Sequence, residues 1–185
     1  MRKEILIAGI GGQGVLVAGH ILGLAAAKYM NYYVSQSEEY SAETRGGESR
    51  ADVVIATSDE ELDYPKVRKA DIAIILHSYA LNLYKKYIKE DAIVLIDEIL
   101  VSKDLLQEKW RVYPIPFTKL AEEHFKTRRV ANMIALGALA SITNIVTLDA
   151  LKNAVKETMS KKYIELNIKA LELGFNEGLK RTKNA

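Results

Sequence analysis

The sequence predicts an α/β protein: a Rossmann-like, doubly wound, mostly parallel sheet with helices on both faces and a helical C-terminal portion. Short, nearly unbroken apolar runs recur at Ile5-Leu6-Ile7-Ala8, Val53-Val54-Ile55, Ile72-Ala73-Ile74-Ile75-Leu76 and Ile93-Val94-Leu95-Ile96, as in strands covered on both faces. Segments of helical length and period separate several of them. The first run breaks into glycines and resumes as an Ala/Leu-rich stretch, which reads as strand, tight turn and helix. At 185 residues the chain suits one domain, taken as 1–185, long enough to bury a core.

The turn Gly9-Ile10-Gly11-Gly12-Gln13-Gly14 organises the rest of the chain. Gly9, Gly11 and Gly14 fit the G-x-G-x-x-G spacing in which glycines let a pyrophosphate approach the backbone, with the positive end of the next helix facing it. The same glycines also serve tight β–α packing, so the spacing alone leaves both readings open. The helix predicted over 12–30 is apolar on nearly every side, hence covered on more than one. Gly19 and Gly23, one turn apart, leave a groove for close approach. His20 between them reads as a polar group at a packing edge or surface.

Tyr32-Tyr33-Val34-Ser35-Gln36 predicts a second strand. The polar stretch 37–50 has almost no aliphatic residues and reads as a loop with a role other than core packing. Within it, Arg45-Gly46-Gly47 allows a sharp turn presenting a guanidinium and adjacent N–H groups to a carboxylate or phosphate. Pairing of Arg45 with Glu43 or Glu48 in a solvated connection fits the spacing equally. Further strands are predicted at 51–57, 71–76 and 92–97, and a helix at 78–89 with Lys85, Lys86 and Lys89 on its solvent side. Prolines place the last strand, Arg111-Val112-Tyr113-Pro114-Ile115-Pro116, at an edge or near the sheet's end. Helices are then predicted at 117–125, 128–142, 148–159 and 163–179. The second of these has almost no polar face, so it is either a buried central helix or a subunit contact.

Composition narrows the function classes. A net charge of +2 gives no global electrostatic case for nucleic acid or an anionic membrane. Cysteine is absent, which removes disulfides, thiolate nucleophiles and the usual ligands of iron–sulfur clusters, so any cluster belongs to a partner. No metal site and no catalytic residue is assigned. With no hydrophobic signal core or membrane-length apolar run, a cytoplasmic location is expected.

Several motifs occur together in order: Gly9-Ile10-Gly11-Gly12-Gln13-Gly14-Val15, Tyr40-Ser41-Ala42-Glu43-Thr44-Arg45-Gly46-Gly47, the strand at Asp71, and Pro116-Phe117 with Asn132-Met133-Ile134-Ala135-Leu136-Gly137 after it. With them the chain resembles, over almost its whole length, the gamma subunit of 2-oxoacid:ferredoxin oxidoreductases of the pyruvate, ketoisovalerate or 2-oxoglutarate type. The G-x-G-G-Q-G and E-x-R-G-G elements together are far more specific than either glycine motif alone. The resemblance implies a subunit, inactive alone, of a complex that oxidatively decarboxylates a 2-oxoacid to an acyl-CoA and passes electrons to ferredoxin. Companion alpha, beta and delta-type subunits would carry thiamine diphosphate and iron–sulfur clusters. This unit would be associated with coenzyme A binding: Gly11, Gly12, Gln13 and Gly14 as an N–H cradle beside Gly9, and Arg45, Gly46 and Gly47, with Glu43, on a loop facing cofactor or partner. Tyr40-Ser41-Ala42-Glu43 stands where many relatives have a Tyr-Gly-Pro-Glu-like turn. General resemblance favours a 2-oxoglutarate or branched-chain substrate over pyruvate.

The competing reading is an autonomous NAD-dependent dehydrogenase or nucleotide-binding module. It asks for an acidic residue ending the second strand, about 20 residues past the glycines, to hold the ribose hydroxyls. Glu38 and Glu39 fall somewhat late, and no convincing catalytic pair accompanies them.

Overall fold

The structure is a computed structural model that describes residues 1–41, 46–62 and 64–183. In chain order its elements are β1 (Arg2–Ile10), α1 (Val15–Met30), β2 (Tyr33–Tyr40), β3 (Glu48–Ala56), β4 (Ala70–Ile75), α2 (Ser78–Tyr84), β5 (Ile88–Asp97), β6 (Arg111–Ile115), α3 (Phe117–Phe125), α4 (Ala131–Thr143), α5 (Leu148–Thr158) and α6 (Lys161–Lys183). The strands form one sheet in the order β2-β3-β1-β4-β5-β6. The β1–β4, β4–β5 and β5–β6 pairs are parallel, while β3 runs antiparallel to both β1 and β2. β6 lies at an edge, where its proline removes no inner ladder bond.

Helices cover both faces. On one, Ile5, Ile7, Ile72 and Ile74 pack with α1, α4, α5 and α6; on the other, Leu6, Ala8, Ala73 and Ile75 pack with α2, Val67 and Trp110. Period-2 alternation thus delivers neighbouring residues of β1 and β4 to two apolar layers. The all-apolar helix proves to be a buried central helix: every α4 residue from Asn132 to Ser141 is buried. It crosses α6 at backbone contact, since a Cβ at Gly137 would strike the Leu171 carbonyl and one at Gly174 the Ile134 carbonyl. The groove on α1 is filled from within too, with Gly19 against Ala51 and Gly23 against Gln36.

The polar stretch 37–50 is a correction. β2 continues to Tyr40 and β3 begins at Glu48, paired Glu38 with Ala51, Glu39 with Arg50 and Tyr40 with Ser49. β2 tolerates this composition because it is an edge strand with none of its residues fully buried, and charges on an edge discourage further pairing. β3 carries Arg50 and Asp52 inside because they satisfy each other. The guanidinium binds Asp52 through Nε at 2.7 Å and Nη2 at 2.8 Å, and Nη2 also donates to the Val67 carbonyl. Asp52 accepts the Val67 N–H as well, and Arg50 stacks 4.3 Å from the Tyr87 ring. Burial pushes the Asp52 carboxyl up, against the opposing pull of Arg50. The helix predicted over 78–89 also ends early, at Tyr84; a 3-10 turn comes next and β5 starts at Ile88, where Lys89 reaches Asp71 at 2.5 Å. Among the described residues no helix is long and apolar enough to cross a membrane.

Candidate functional site

Strand order sets the location. From β1 the chain passes through α1 on one face to β2; from β4 it passes through α2 on the other face to β5. The connections therefore diverge between β1 and β4, and a crevice opens beyond the carboxyl ends of those strands, where ligands of open α/β sheets bind. The glycine turn occupies this place.

The turn is held from three sides. Gly14 caps α1 in left-handed backbone at φ 70°, a conformation costly for any residue bearing a Cβ. Its carbonyl accepts the Ala18 N–H at 3.0 Å and the Asn132 side-chain amide at 3.0 Å, so the start of α4 fixes the start of α1. Gln13 is a brace: its Oε1 accepts the Ile10 N–H at 2.8 Å and its Nε2 donates to the Leu76 carbonyl at 3.0 Å. One side chain thereby spans the point where the connections diverge. Gly9, buried at the end of β1, leaves room for that amide, with Gln13 Oε1 only 2.5 Å from where a Cβ would stand.

The third support joins the two glycine motifs. Antiparallel pairing lays the start of β3 against the end of β1, with Ile10 opposite Glu48 and Gly9 opposite Ser49. The hairpin thus delivers Gly46 and Gly47 to the turn, and the Gly11 N–H donates to the Gly47 carbonyl at 2.8 Å. Residues 37–40, read from the sequence as loop, are the end of β2, and Gly47 makes the junction itself. Gly9, Gly11, Gly12, Gln13, Gly14, Gly46 and Gly47 therefore meet in one place, whereas Glu43 and Arg45 lie outside the described residues.

Two cavities flank the turn. One, of about 540 Å³, lies between Gly12, Val15 and the hairpin residues Tyr40, Ser41 and Gly47. The other, of about 350 Å³, lies over the strand ends between Gly12, Gln13, His77, Thr118 and Arg128. Beneath the second, Asp97 is fully buried yet accepts from the Ile99, Leu100 and Thr118 N–H groups and the Thr118 hydroxyl, which ties the loop after β5 to the start of α3. His77 and Arg128 carry no motif in the sequence; a histidine directly after a strand and a basic pair before an apolar helix were the available signals. From Gly14 at the end of the turn, a mostly apolar groove of about 890 Å³ also opens along α1, with the exposed His20 at its side.

The same strand order weighs against a dinucleotide fingerprint. In that arrangement the ribose-binding acid ends the strand next to β1, but here β3 intervenes, setting β2 about 10 Å away by two strand spacings. Glu39 is engaged there by Lys66 at 2.7 Å, which pulls its carboxyl below the usual range, and Glu38 accepts from Gln36.

Comparison with known proteins gives concordant matches. The sequence matches the family described as Pyruvate ferredoxin/flavodoxin oxidoreductase over residues 4–177. It is 46% identical over 176 residues to a 2-oxoglutarate synthase subunit KorC of Methanocaldococcus jannaschii, covering 95% of this chain and 93% of that protein. It is 34% identical to a ketoisovalerate oxidoreductase subunit VorA of Methanothermobacter marburgensis, covering 92% of this chain but 35% of that longer one. Among solved structures, the gamma subunit of a keto/oxoacid ferredoxin oxidoreductase from Geobacter sulfurreducens superposes with a TM-score of 0.83 at 32% identity, covering 96% and 99% of the two chains.

Proposed function

The chain belongs to the pyruvate ferredoxin/flavodoxin oxidoreductase family, and from that premise we propose that it is the gamma subunit, a single domain spanning 1–185, of a cytoplasmic complex that oxidises a 2-oxoacid with ferredoxin as acceptor. Its relatives are subunits of such oxidoreductases, so the activity is that of a complex. Companion alpha, beta and delta-type subunits bring the thiamine diphosphate and iron–sulfur clusters, consistent with a chain that has no cysteine. The substrate is 2-oxoglutarate, the reading supported by the 46% identity to a 2-oxoglutarate synthase subunit against 34% to a ketoisovalerate one.

This chain's own part is to contact coenzyme A and shape the subunit interface at the turn. The observation that carries this reading is the bond from Gly11 to Gly47, which joins both glycine motifs at the fold's natural ligand position. The donors around that position suit the phosphate groups of the cofactor, and Arg45 would add a cation from the hairpin loop.

Reconstitution tests the reading. Arg45→Ala should raise the apparent KM for coenzyme A or impair assembly, with the melting temperature of the isolated subunit nearly unchanged. Unaltered kinetics and assembly would return Arg45 to the ordinary surface residues. The isolated chain should not oxidise 2-oxoacids; 2-oxoacid oxidation by that chain alone with NAD would overturn the subunit reading.

A further inference from the structure

A coenzyme A site at the turn leaves open which groups hold the ligand's charge, and the hydrogen bonds of the turn narrow the choice. Three of its peptide N–H groups are spent inside the protein: Ile10 donates to Gln13 Oε1 at 2.8 Å, Gly11 to the Gly47 carbonyl at 2.8 Å and Gln13 to the Ile10 carbonyl at 3.2 Å. The turn thus offers fewer donors than its sequence suggests. Side chains beside it supply others.

The 350 Å³ cavity is lined by Gln13, His77 and Arg128, each with hydrogens to give. His77 Nδ1 accepts the Tyr79 N–H at 3.1 Å, so in the neutral ring the proton sits on Nε2 as a donor. Gln13 Nε2 gives one hydrogen to Leu76 and retains its second. Thr118 contributes only lone pairs, because its hydroxyl donates to Asp97 at 2.6 Å. Arg128 is bound at the surface to Glu122, its side chain 72% exposed, and an exposed pair of this kind is weak enough to be exchanged for a ligand. No carboxylate lines the cavity among the described residues. Its volume is at the lower end of ligand pockets, suited to a phosphate-sized group rather than a whole cofactor.

We infer that this cavity is the subsite for the anionic group, a phosphate or diphosphate, of the ligand at the turn, recognised by Arg128 and His77 rather than by the turn's amides. The inference rests on the ligand position proposed for coenzyme A. It differs in placing the charge on side chains over the ends of β4 and the start of α4.

Calorimetric titration of the complex assembled with its companion subunits tests this with three probes: coenzyme A, inorganic pyrophosphate and uncharged pantetheine. Arg128→Gln should weaken coenzyme A and pyrophosphate about tenfold, the scale of a charge-assisted hydrogen bond. His77→Asn, which keeps a cap acceptor for α2, should weaken both severalfold, and pantetheine should bind all three proteins alike. Wild-type affinity for coenzyme A in both variants would overturn the subsite. Pyrophosphate bound by the wild type and lost in Arg128→Gln, with coenzyme A bound by none, would uphold the subsite and refute the coenzyme A reading. Failure of the wild type to bind either phosphate probe would refute both.

Discussion

Gly137 and Gly174, where α4 crosses α6, have ordinary helical backbone and no space beside them, whereas Gly12 and Gly46, at the candidate site, have left-handed backbone at φ 91° and 76° and nothing within 4 Å of an added Cβ. In the helix pair glycine is present for what it lacks in volume; at the site it is present for the backbone it allows. Gly14 belongs to both groups, since it is left-handed and abuts the Asn132 amide. Substitution at the crossing therefore costs packing, and substitution at the site costs conformation first. The two costs separate a scaffold from a candidate site that happens to share its residue type.

The largest effect is expected at Gly174→Ala. A methyl there meets the Ile134 backbone, which cannot rotate away as a side chain could, and overpacking of this kind costs about 3 kcal/mol. For a chain of this size that corresponds to a fall in melting temperature of about 6–12 °C, read by calorimetry on the isolated subunit. A fall of a degree or less would mean that α4 and α6 part easily, and the scaffold half of the comparison would fail. Gly14→Ala comes next: the left-handed cap costs about 1–2 kcal/mol, and displacing Asn132 from the Gly14 carbonyl about 1 kcal/mol more. Unlike Gly174→Ala, it should also weaken coenzyme A binding by the assembled complex, because it moves the turn.

Gln13→Ala sharpens the comparison from within the site. It removes both bonds of the brace between the turn and Leu76, a loss of about 1–2 kcal/mol in denaturant titration. Gln13→Glu is the discriminating partner, since a carboxylate keeps the acceptor for the Ile10 N–H and loses the donor to Leu76. Equal stability of the glutamate variant and the wild type would show that the bond across the diverging connections contributes nothing.

Much of this was legible in the sequence, for a physical reason. The stretches 5–8, 72–75 and 94–96 are buried, so their composition is nearly pure signal, whereas the polar start of β5 read as helix, and the apolar α4 declared that it was covered without showing whether by this chain or by a partner. The glycine turn and the edge position of β6 were equally plain, since glycine and proline act locally. The hairpin was less so. β2 is a half-exposed edge strand, and Arg50 lies inside on β3 because Asp52 pairs with it; a reading that assigns charge to solvent ends the hairpin's first strand at Gln36 and starts the next only at Ala51. The antiparallel insertion of β3 then depends on pairing across the sheet, which no local pattern encodes. At the site, Gln13 reaches Leu76 across more than sixty positions and only the fold brings His77 and Arg128 to the same cavity, so sequence could mark Gln13 as unusual within its motif without showing that it spans the switch point.

The smallest effect, and the cleanest, is expected at Gly46. Its backbone is left-handed at φ 76° and an added Cβ would touch nothing, so Gly46→Ala incurs only the conformational penalty, about 1 kcal/mol. Asparagine visits this region more readily than alanine, so Gly46→Asn should recover part of that loss although its side chain is larger. If space were the constraint the order would reverse, with asparagine the worse of the two. The local consequence is specific as well: Gly46 precedes the carbonyl that accepts the Gly11 N–H, so a hairpin relaxed toward right-handed backbone would draw Gly47 off the turn. Amide exchange at Gly11, measured by NMR, should then quicken in Gly46→Ala more than in Gly46→Asn, while the amides of α4 keep their wild-type protection. Faster exchange spread evenly through α4 would mean that the hairpin and the helix pair are one cooperative unit, and the division drawn between scaffold glycines and site glycines would not hold.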